Sequence, residues 1–543
     1  MSSILTSTIS SINAIKILID NTSKKVLNPH YRNSSERISI ENNIDESNAN
    51  AGVRIQKVYD EYNNFIDEEK RKTSERVQDE QTRIEEYLKL EDLFVKKIHV
   101  FNDLINKLYS SIQENIVNRN ENVFNKEIES NLKNVVAELK NFDDKLNTLE
   151  NDVKNDILEK IKKANILINK ICDLNIDIHY FPVEQVPNGV YKYIDERDQL
   201  VNELNDIIGV TVIKDDDNFE VRLNSGMCLI KNDKKKNLMI LTSNTDEKYV
   251  SVGYWDEHEK TLKKMEHMIP SGSLGGLFSF RREELKNAKN KLGQLTVNFA
   301  DSINENHTLG YDILGNLGRQ VFNISTPKII SSSHNPSNPF VSIKWMATSD
   351  AQDTDYIVSM KNHQWVVQRL RDQTIFEPEI YQNNNNTYLT FDGMELKIEG
   401  NHNEGNMYMI QPYAKTLDEL ELLIVENNLF ASSSTNDMSQ QNRNNAIIIH
   451  NLNKDKLVNK KDTLGMSYLK FLKSISYKCN DLEEKVPFKR QMIKILENKK
   501  LSVSDDINED YQNLSYEQKC YIANVKILKM AESIFNDIID CYS

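Results

Sequence analysis

Residues 132–153 read LKNVVAELKNFDDKLNTLENDV. Leu132, Val135, Leu139, Phe142, Leu146, Leu149 and Val153 fall at alternating steps of three and four, the seam of a heptad helix. The steps become four and four through Ile157 and Ile161, then resume at Ala164, Ile168 and Ile171, which has the form of a stutter. Outward from this stretch nothing breaks a helix: from Val53 to Phe181 there is neither glycine nor proline. A single straight helix of that length would reach about 190 Å at about 1.5 Å per residue. The polar run from Asn118 to Asn122 is therefore predicted to turn the chain. The preceding arm carries Ile84, Leu88, Phe94, Ile98, Phe101, Leu104, Leu108 and Ile112 as its expected buried face. A long antiparallel helical hairpin is the inference.

The rest of the 543 residues is organised around this block. Of the 16 glycines and 10 prolines, 22 lie between Pro182 and Pro412, so the middle differs in kind from both ends. At roughly 150 residues per domain the length predicts three or four domains. Beyond Pro182 a helix from about Glu196 to Ile208 should stop at Gly209, placed for a left-handed residue after the helix. Strands follow at Val210 to Ile213, Phe219 to Leu223 and Tyr249 to Tyr254, then a second helix from about Arg281 to Asn306. Residues 320–429 read as β. Asp355 to Met360 and Trp365 to Leu370 form one expected hairpin; Tyr388 to Phe391, turning at Asp392-Gly393 into Met394 to Ile398, forms another.

Both chain ends read as helical. Leu5, Ile9, Ile12, Ile15 and Ile19 line one face near the start, and Tyr521, Val525, Leu528, Ala531, Phe535, Ile538 and Tyr542 line one face at the end. A short helix of the first kind is marginal alone in water, so pairing the two termini is the economical solution. The fold class read from this pattern is α+β: elongated and multidomain, a coiled-coil-like rod built from both chain ends with β-rich domains inserted between them.

Composition excludes several functions. With 68 Lys and Arg against 82 Asp and Glu the formal charge is −14, and there is no basic stripe to release counterions from a nucleic acid. The run Lys234-Lys235-Lys236 reads as a solvated turn. No apolar run approaches a membrane span, and the first 20 residues lack the basic and small-residue features of a cleavable secretion signal. Cys172, Cys228, Cys479, Cys520 and Cys541 are scattered without metal spacing and read as small core residues. The 66 asparagines, with much Lys and Ile, look like drift in an AT-rich genome rather than chemistry.

No catalytic, metal or cofactor motif holds up. His258 and His267, nine residues apart, read as solvated loop residues. Gly272-Ser273-Leu274-Gly275-Gly276 lacks the Gly-Lys-Ser/Thr ending of a phosphate cradle and reads as a buried tight turn. Asp215-Asp216-Asp217-Asn218 reads as a hairpin tip, since no glycine and distal glutamate follow at calcium-loop spacing.

Asp195-Glu196-Arg197-Asp198-Gln199-Leu200-Val201-Asn202-Glu203-Leu204-Asn205, Gly272 to Leu277, Leu292-Gly293-Gln294-Leu295, Phe299-Ala300 and Ile303-Asn304 occur in that order. Together with Asn442 to Ala446 and the ending from Glu509 to Ile538, they resemble the flagellar hook-associated protein 1 family. Matching segments run over nearly the whole chain. Asn28-Pro29-His30-Tyr31-Arg32 keeps a trace of the family's Gly-Tyr-x-Arg segment without its glycine. Pro487 falls where the family has helix, and is expected at a helix start or a kink.

The resemblance implies a non-enzymatic axial protein without cofactors, exported unfolded through the flagellar type III apparatus and without a cleavable signal peptide. It would be extracellular, in the hook–filament junction of the bacterial flagellum. Implied partners are further copies of the chain, the hook protein, the second junction protein (hook-associated protein 3) and an export chaperone at the C-terminal helix, with no nucleic acid and no membrane insertion. Residues 1–50 and 506–543 would form the inner terminal domain, 51–319 and 431–505 the helical rod, and 320–430 the β-rich outer part. The expected assembly interface is Ile4, Ile9, Ile12, Ile19, Tyr521, Val525, Leu528, Phe535 and Ile538. An intracellular coiled-coil adaptor is the alternative that the heptads leave open.

Overall fold

The computed structural model describes residues 19, 49–117, 121–180, 190–215, 218–242, 250–256, 259–312, 314–337, 339–383, 386–400, 403–423, 430–435, 443–501, 512, 514–516, 518–523, 525–526 and 528–530. Two compact units divide the chain, one of Ser74–Arg490 and one of Met1–Thr73 with Gln491–Ser543. The described architecture is an α+β mix.

In the larger unit, helix α1 (Ala49–Val117, from Ser74 onward) runs against α2 (Glu121–His179). Lys97 Nζ reaches Glu138 Oε1 at 2.7 Å and Asn131 Nδ2 donates to Ser111 Oγ at 3.1 Å, so the two helices are antiparallel. Every seam residue from Leu132 to Ile171 is buried, including Val153, Ile157 and Ile161 across the stutter. On α1 the expected face needs a correction. Leu88 is 46% exposed, and Tyr87 and Leu90 point inward in its place. The cause is a second neighbour: Tyr87 meets the Phe280 ring edge-on at 5.9 Å, so α1 is packed on more than one side.

Helix α3 (Val190–Ile208) starts about six residues earlier than expected and ends where predicted. Gly209 has φ +63°, its N–H bonds Asn205 O at 2.9 Å, and Asn205 Oδ1 takes the next N–H at 3.0 Å. Strands β1 (Val210–Asp215), β2 (Asn218–Leu223), β3 (Cys228–Lys231) and β4 (Lys234–Lys235) follow as an antiparallel sheet. Asp215 pairs with Asn218, as a hairpin tip requires; Asp216 and Asp217 lie outside the described residues. The lysine run is a correction too: Lys234 and Lys235 form an exposed strand, and the turn is Asn232-Asp233, with Asn232 at φ +52°. A three-stranded sheet of β5 (Met239–Thr242), β6 (Val250–Asp256) and β7 (Thr261–Lys264) comes next.

The glycine-rich stretch is helical, not a tight turn. Helix α4 (Gly272–Ser279) is buried along almost its whole length and runs through a π turn at Phe280–Leu285 into α5 (Lys286–Thr308). Glycine is there for backbone contact: a Cβ on Gly276 would lie 2.7 Å from Asp79 O, and one on Gly272 would lie 2.6 Å from Ile207 O. Such contacts come from the tertiary fold, which is why the local sequence reads as a breaker cluster.

Strands β8 (Phe322–Asn323), β9 (Lys328–Ser331), β10 (Phe340–Trp345), β11 (Tyr356–Lys361), β12 (Gln364–Arg369), β13 (Ile375–Phe376), β14 (Glu379–Asn383), β15 (Asn386–Phe391), β16 (Met394–Glu399) and β17 (Met407–Gln411) build the β region. They form one sheet in the order β10-β16-β15-β14 and another in the order β13-β12-β11-β17-β9. One hydrophobic cluster draws on both, with Tyr356, Val358 and Trp365 from one sheet and Leu389, Met394 and Leu396 from the other. Both predicted hairpins are present. Asn362-His363 and Asp392-Gly393 are two-residue turns with φ positive at every position, the form that matches strand twist.

After α6 (Thr416–Glu419) and β18 (Glu421–Leu422), which pairs with β8, the chain returns to helix in α7 (Asn444–Asn451) and α8 (Leu464–Leu501). Phe471 of α8 meets Phe94 at 5.2 Å, and Phe94 meets Phe142 at 4.8 Å, so α1, α2 and α8 share one aromatic core. Pro487 lies inside α8 rather than at a helix start.

Candidate assembly surface

The smaller unit carries the expected interface. Within it, α1 and α8 are joined by Lys70 and Glu497 at 2.8 Å, and Ile66 is buried. Gln491 Nε2 donates to Tyr516 Oη at 3.2 Å, bringing the C-terminal helical segment onto α8. The described positions between Gln512 and Met530 are all helical.

Tyr521, Val525 and Leu528 fall on one face of this segment and are each half-buried. None of its described residues is fully buried, while Ile522 is 54% and Met530 66% exposed. Ile19 is helical and half-buried. Ile4, Ile9, Ile12, Phe535 and Ile538 lie outside the described residues. Leu514 is half-buried too, and the sequence reading missed it. Its position one heptad before Tyr521 is the signal that would have found it. Among the described residues this is a half-covered apolar seam, the kind of surface that can accept another helix.

Among the described residues no group of three or more His, Cys, Asp or Glu is placed to hold a metal ion, and no helix is long and apolar enough to cross a membrane. His267 is exposed as expected, and His258 lies outside the described residues. Buried charge is structural in its connections. Arg281 reaches Glu266 at 3.1 Å, and Ser251 Oγ donates to the same Glu266 oxygen at 2.8 Å. Burial raises the Asp79 carboxyl to about 6; Arg83, 3.8 Å away, opposes the shift only in part.

Comparison with known proteins decides the family. Residues 87–322 match the "Flagellar hook-associated protein FlgK helical domain" and residues 330–412 the "Flagellar hook-associated protein 1, D2-like domain". Over 544 residues, all of both chains, the sequence is 66% identical to the flagellar hook-associated protein 1 of Buchnera aphidicola subsp. Schizaphis graminum. The chain belongs to the flagellar hook-associated protein 1 family.

Within that family it is 24% identical to the Salmonella typhimurium protein over 558 residues, 99% of this chain and all of that one. The solved structure of the flagellar hook junction protein FlgK from Burkholderia pseudomallei shares the fold. Its TM-score is 0.71 at 16% identity, covering 80% of this chain and all of that one. A protein of this family is a structural, hook-associated component of the bacterial flagellum and not an enzyme.

Proposed function

We propose that this chain joins hook to filament by self-association, after export in unfolded form through the flagellar type III apparatus without a cleavable signal. The observation that carries the reading is the seam Tyr521, Val525 and Leu528, half-covered within its own unit. Helices this weakly covered gain most of their stability from packing, so a neighbouring subunit supplies what the monomer lacks. Ile19 extends the same chemistry to the N-terminal side. Ile4, Ile9, Ile12, Phe535 and Ile538 continue the two sequence patterns and complete the proposed interface. Its partners are further copies, the hook protein and hook-associated protein 3, with an export chaperone on the C-terminal helix before assembly. The protein then resides outside the cell, at the hook–filament junction.

The test uses the full chain with Val525→Asp and Leu528→Asp. Each variant should keep the melting behaviour of the larger unit and lose polymerisation and hook binding in sedimentation and electron microscopy. Normal assembly of the double variant would sink the proposal. Fractionation separates the alternative, since an intracellular adaptor would stay in the cytosol when export is blocked and when it is not.

A further inference from the structure

The β3–β4 hairpin presents Lys234, Lys235 and Lys236, all exposed. Helix α2 fixes this hairpin. Asn165 donates to Leu238 O and accepts from Leu238 N–H, both at 2.8 Å. Cys172 Sγ donates to Asp233 O at 3.0 Å and Asn175 Nδ2 to Asn232 O at 2.9 Å. These contacts run antiparallel, so helix residues 165–175 lie along hairpin residues 232–238. Exposed Lys162, Lys163 and Lys170 stand on the same stretch of α2.

Among the described residues none of these six lysines has a carboxylate within ion-pair distance, whereas neighbouring Lys231 is bound to Glu220 at 2.7 Å. Glu159, Asp173, Asp177 and Asp233 are the exposed acids of the same region. Six bases to four acids inverts the sign of a chain that has 82 acids to 68 bases.

We propose that this lysine-tipped hairpin docks on the acidic surface of a second copy of the chain. The inference rests on the self-association proposed above and names one of its contacts. Charge complementarity selects the occupant. Copies of formal charge −14 repel one another over most of their surface, and a basic patch meeting an acidic one relieves that repulsion and sets register. Contact between two different patches is heterologous, the kind that builds rings and helices. The hydrogen bonds from α2 pre-order the hairpin, so docking it spends little conformational entropy.

The experiment follows assembly of the full chain across a salt series, with zero-length carbodiimide cross-linking and peptide mass spectrometry. Wild type should yield cross-links between copies from Lys234, Lys235 or Lys236 to Asp or Glu. The triple variant Lys234→Glu, Lys235→Glu, Lys236→Glu should assemble about tenfold more slowly at low salt, and the triple Arg variant at the wild-type rate. Cross-links confined to other surfaces, or to hook protein alone, overturn the assignment, as does a Glu variant with unchanged rate and salt dependence. Wild type that stays monomeric overturns self-association itself. Wild type that assembles beside an unaffected Glu variant overturns only the hairpin contact.

Discussion

Arg281 and Glu284 stand three residues apart in one uninterrupted helical run, and they turn to different partners. Arg281 binds Glu266 at 3.1 Å beside the β5–β7 sheet, while Glu284 binds Lys478 of α8 at 2.6 Å. The π turn separates them. At roughly 4.4 residues per turn, three positions span directions about 115° apart, where an α-helix would set them about 60° apart and let them pair. Phe280 and Leu285 fill the arc between them, and Arg282 and Glu283 face out.

One prediction follows from the same geometry. Six π-helical residues turn through about 490° and five α-helical residues through about 500°. Deleting Glu283 should therefore convert the turn to α-helix and keep every downstream face in place, with stability within about 1 kcal/mol of wild type. Deleting Val297, in regular helix, should rotate all that follows by about 100° and unfold the unit. Denaturant unfolding of both variants decides it, and equal damage from the two would refute this account.

A second prediction concerns pH. The Asp79 carboxyl is raised to about 6 from an ordinary value of 3.8, chiefly by burial, so the folded form holds the proton more tightly than the unfolded form. Protonation then favours the fold: this contribution grows as pH falls through 6 and is lost as pH rises through it. Facing charges are Arg83, Glu80, Lys489 and Glu283. Asp79→Asn should remove a slope on the order of 1–3 kcal/mol between pH 7 and pH 4. The check is the difference between variant and wild-type unfolding free energies across that range; a flat difference would contradict it.

A third prediction isolates a buried histidine. His307 has its Nδ1 2.7 Å from Arg319 O and its Nε2 accepts the Ala431 N–H at 2.9 Å, which assigns the neutral tautomer with hydrogen on Nδ1. The ring thereby ties the segment after α5 to the segment before α7. His307→Phe keeps the ring and leaves a buried N–H and a buried carbonyl without it, costing about 2–4 kcal/mol. Amide exchange at Ala431 should quicken in proportion. Unchanged exchange would mean that another group takes over the bond.

These residues also show where the sequence could be read and where it could not. Repeating local signals were legible: the seam from Leu132 to Ile171 is buried at each step, and Asp392-Gly393 turns its hairpin as written. Leu88 misled because the α1 face is set by Phe280 as well as by α2, and a second neighbour shifts the buried stripe without altering its period. Gly272 to Gly276 misled because Gly272 and Gly276 answer to backbone atoms of Ile207 and Asp79, far away in sequence. In the candidate assembly surface the periodicity of Tyr521, Val525 and Leu528 was visible, but half-burial was not. Period states which residues share a face, and only packing states how much of that face is left over.

Pro487 supports the last prediction. It lies within α8, between buried Val486 and half-buried Phe488, with its own ring exposed. Without an N–H it cannot donate to the carbonyl of Glu483, and in a helix interior that loss and the ring's steric clash cost about 3 kcal/mol relative to Ala. Exposure means that the ring contributes little packing in return, and the helix survives because Leu482 and Val486 are buried around the gap. Pro487→Ala should therefore stabilise the larger unit by about 1–3 kcal/mol and raise its melting midpoint without changing helix content by circular dichroism. A lower midpoint would show that the proline is favourable where it stands, as it would be if it set a bend that the packing of α8 on α1 requires.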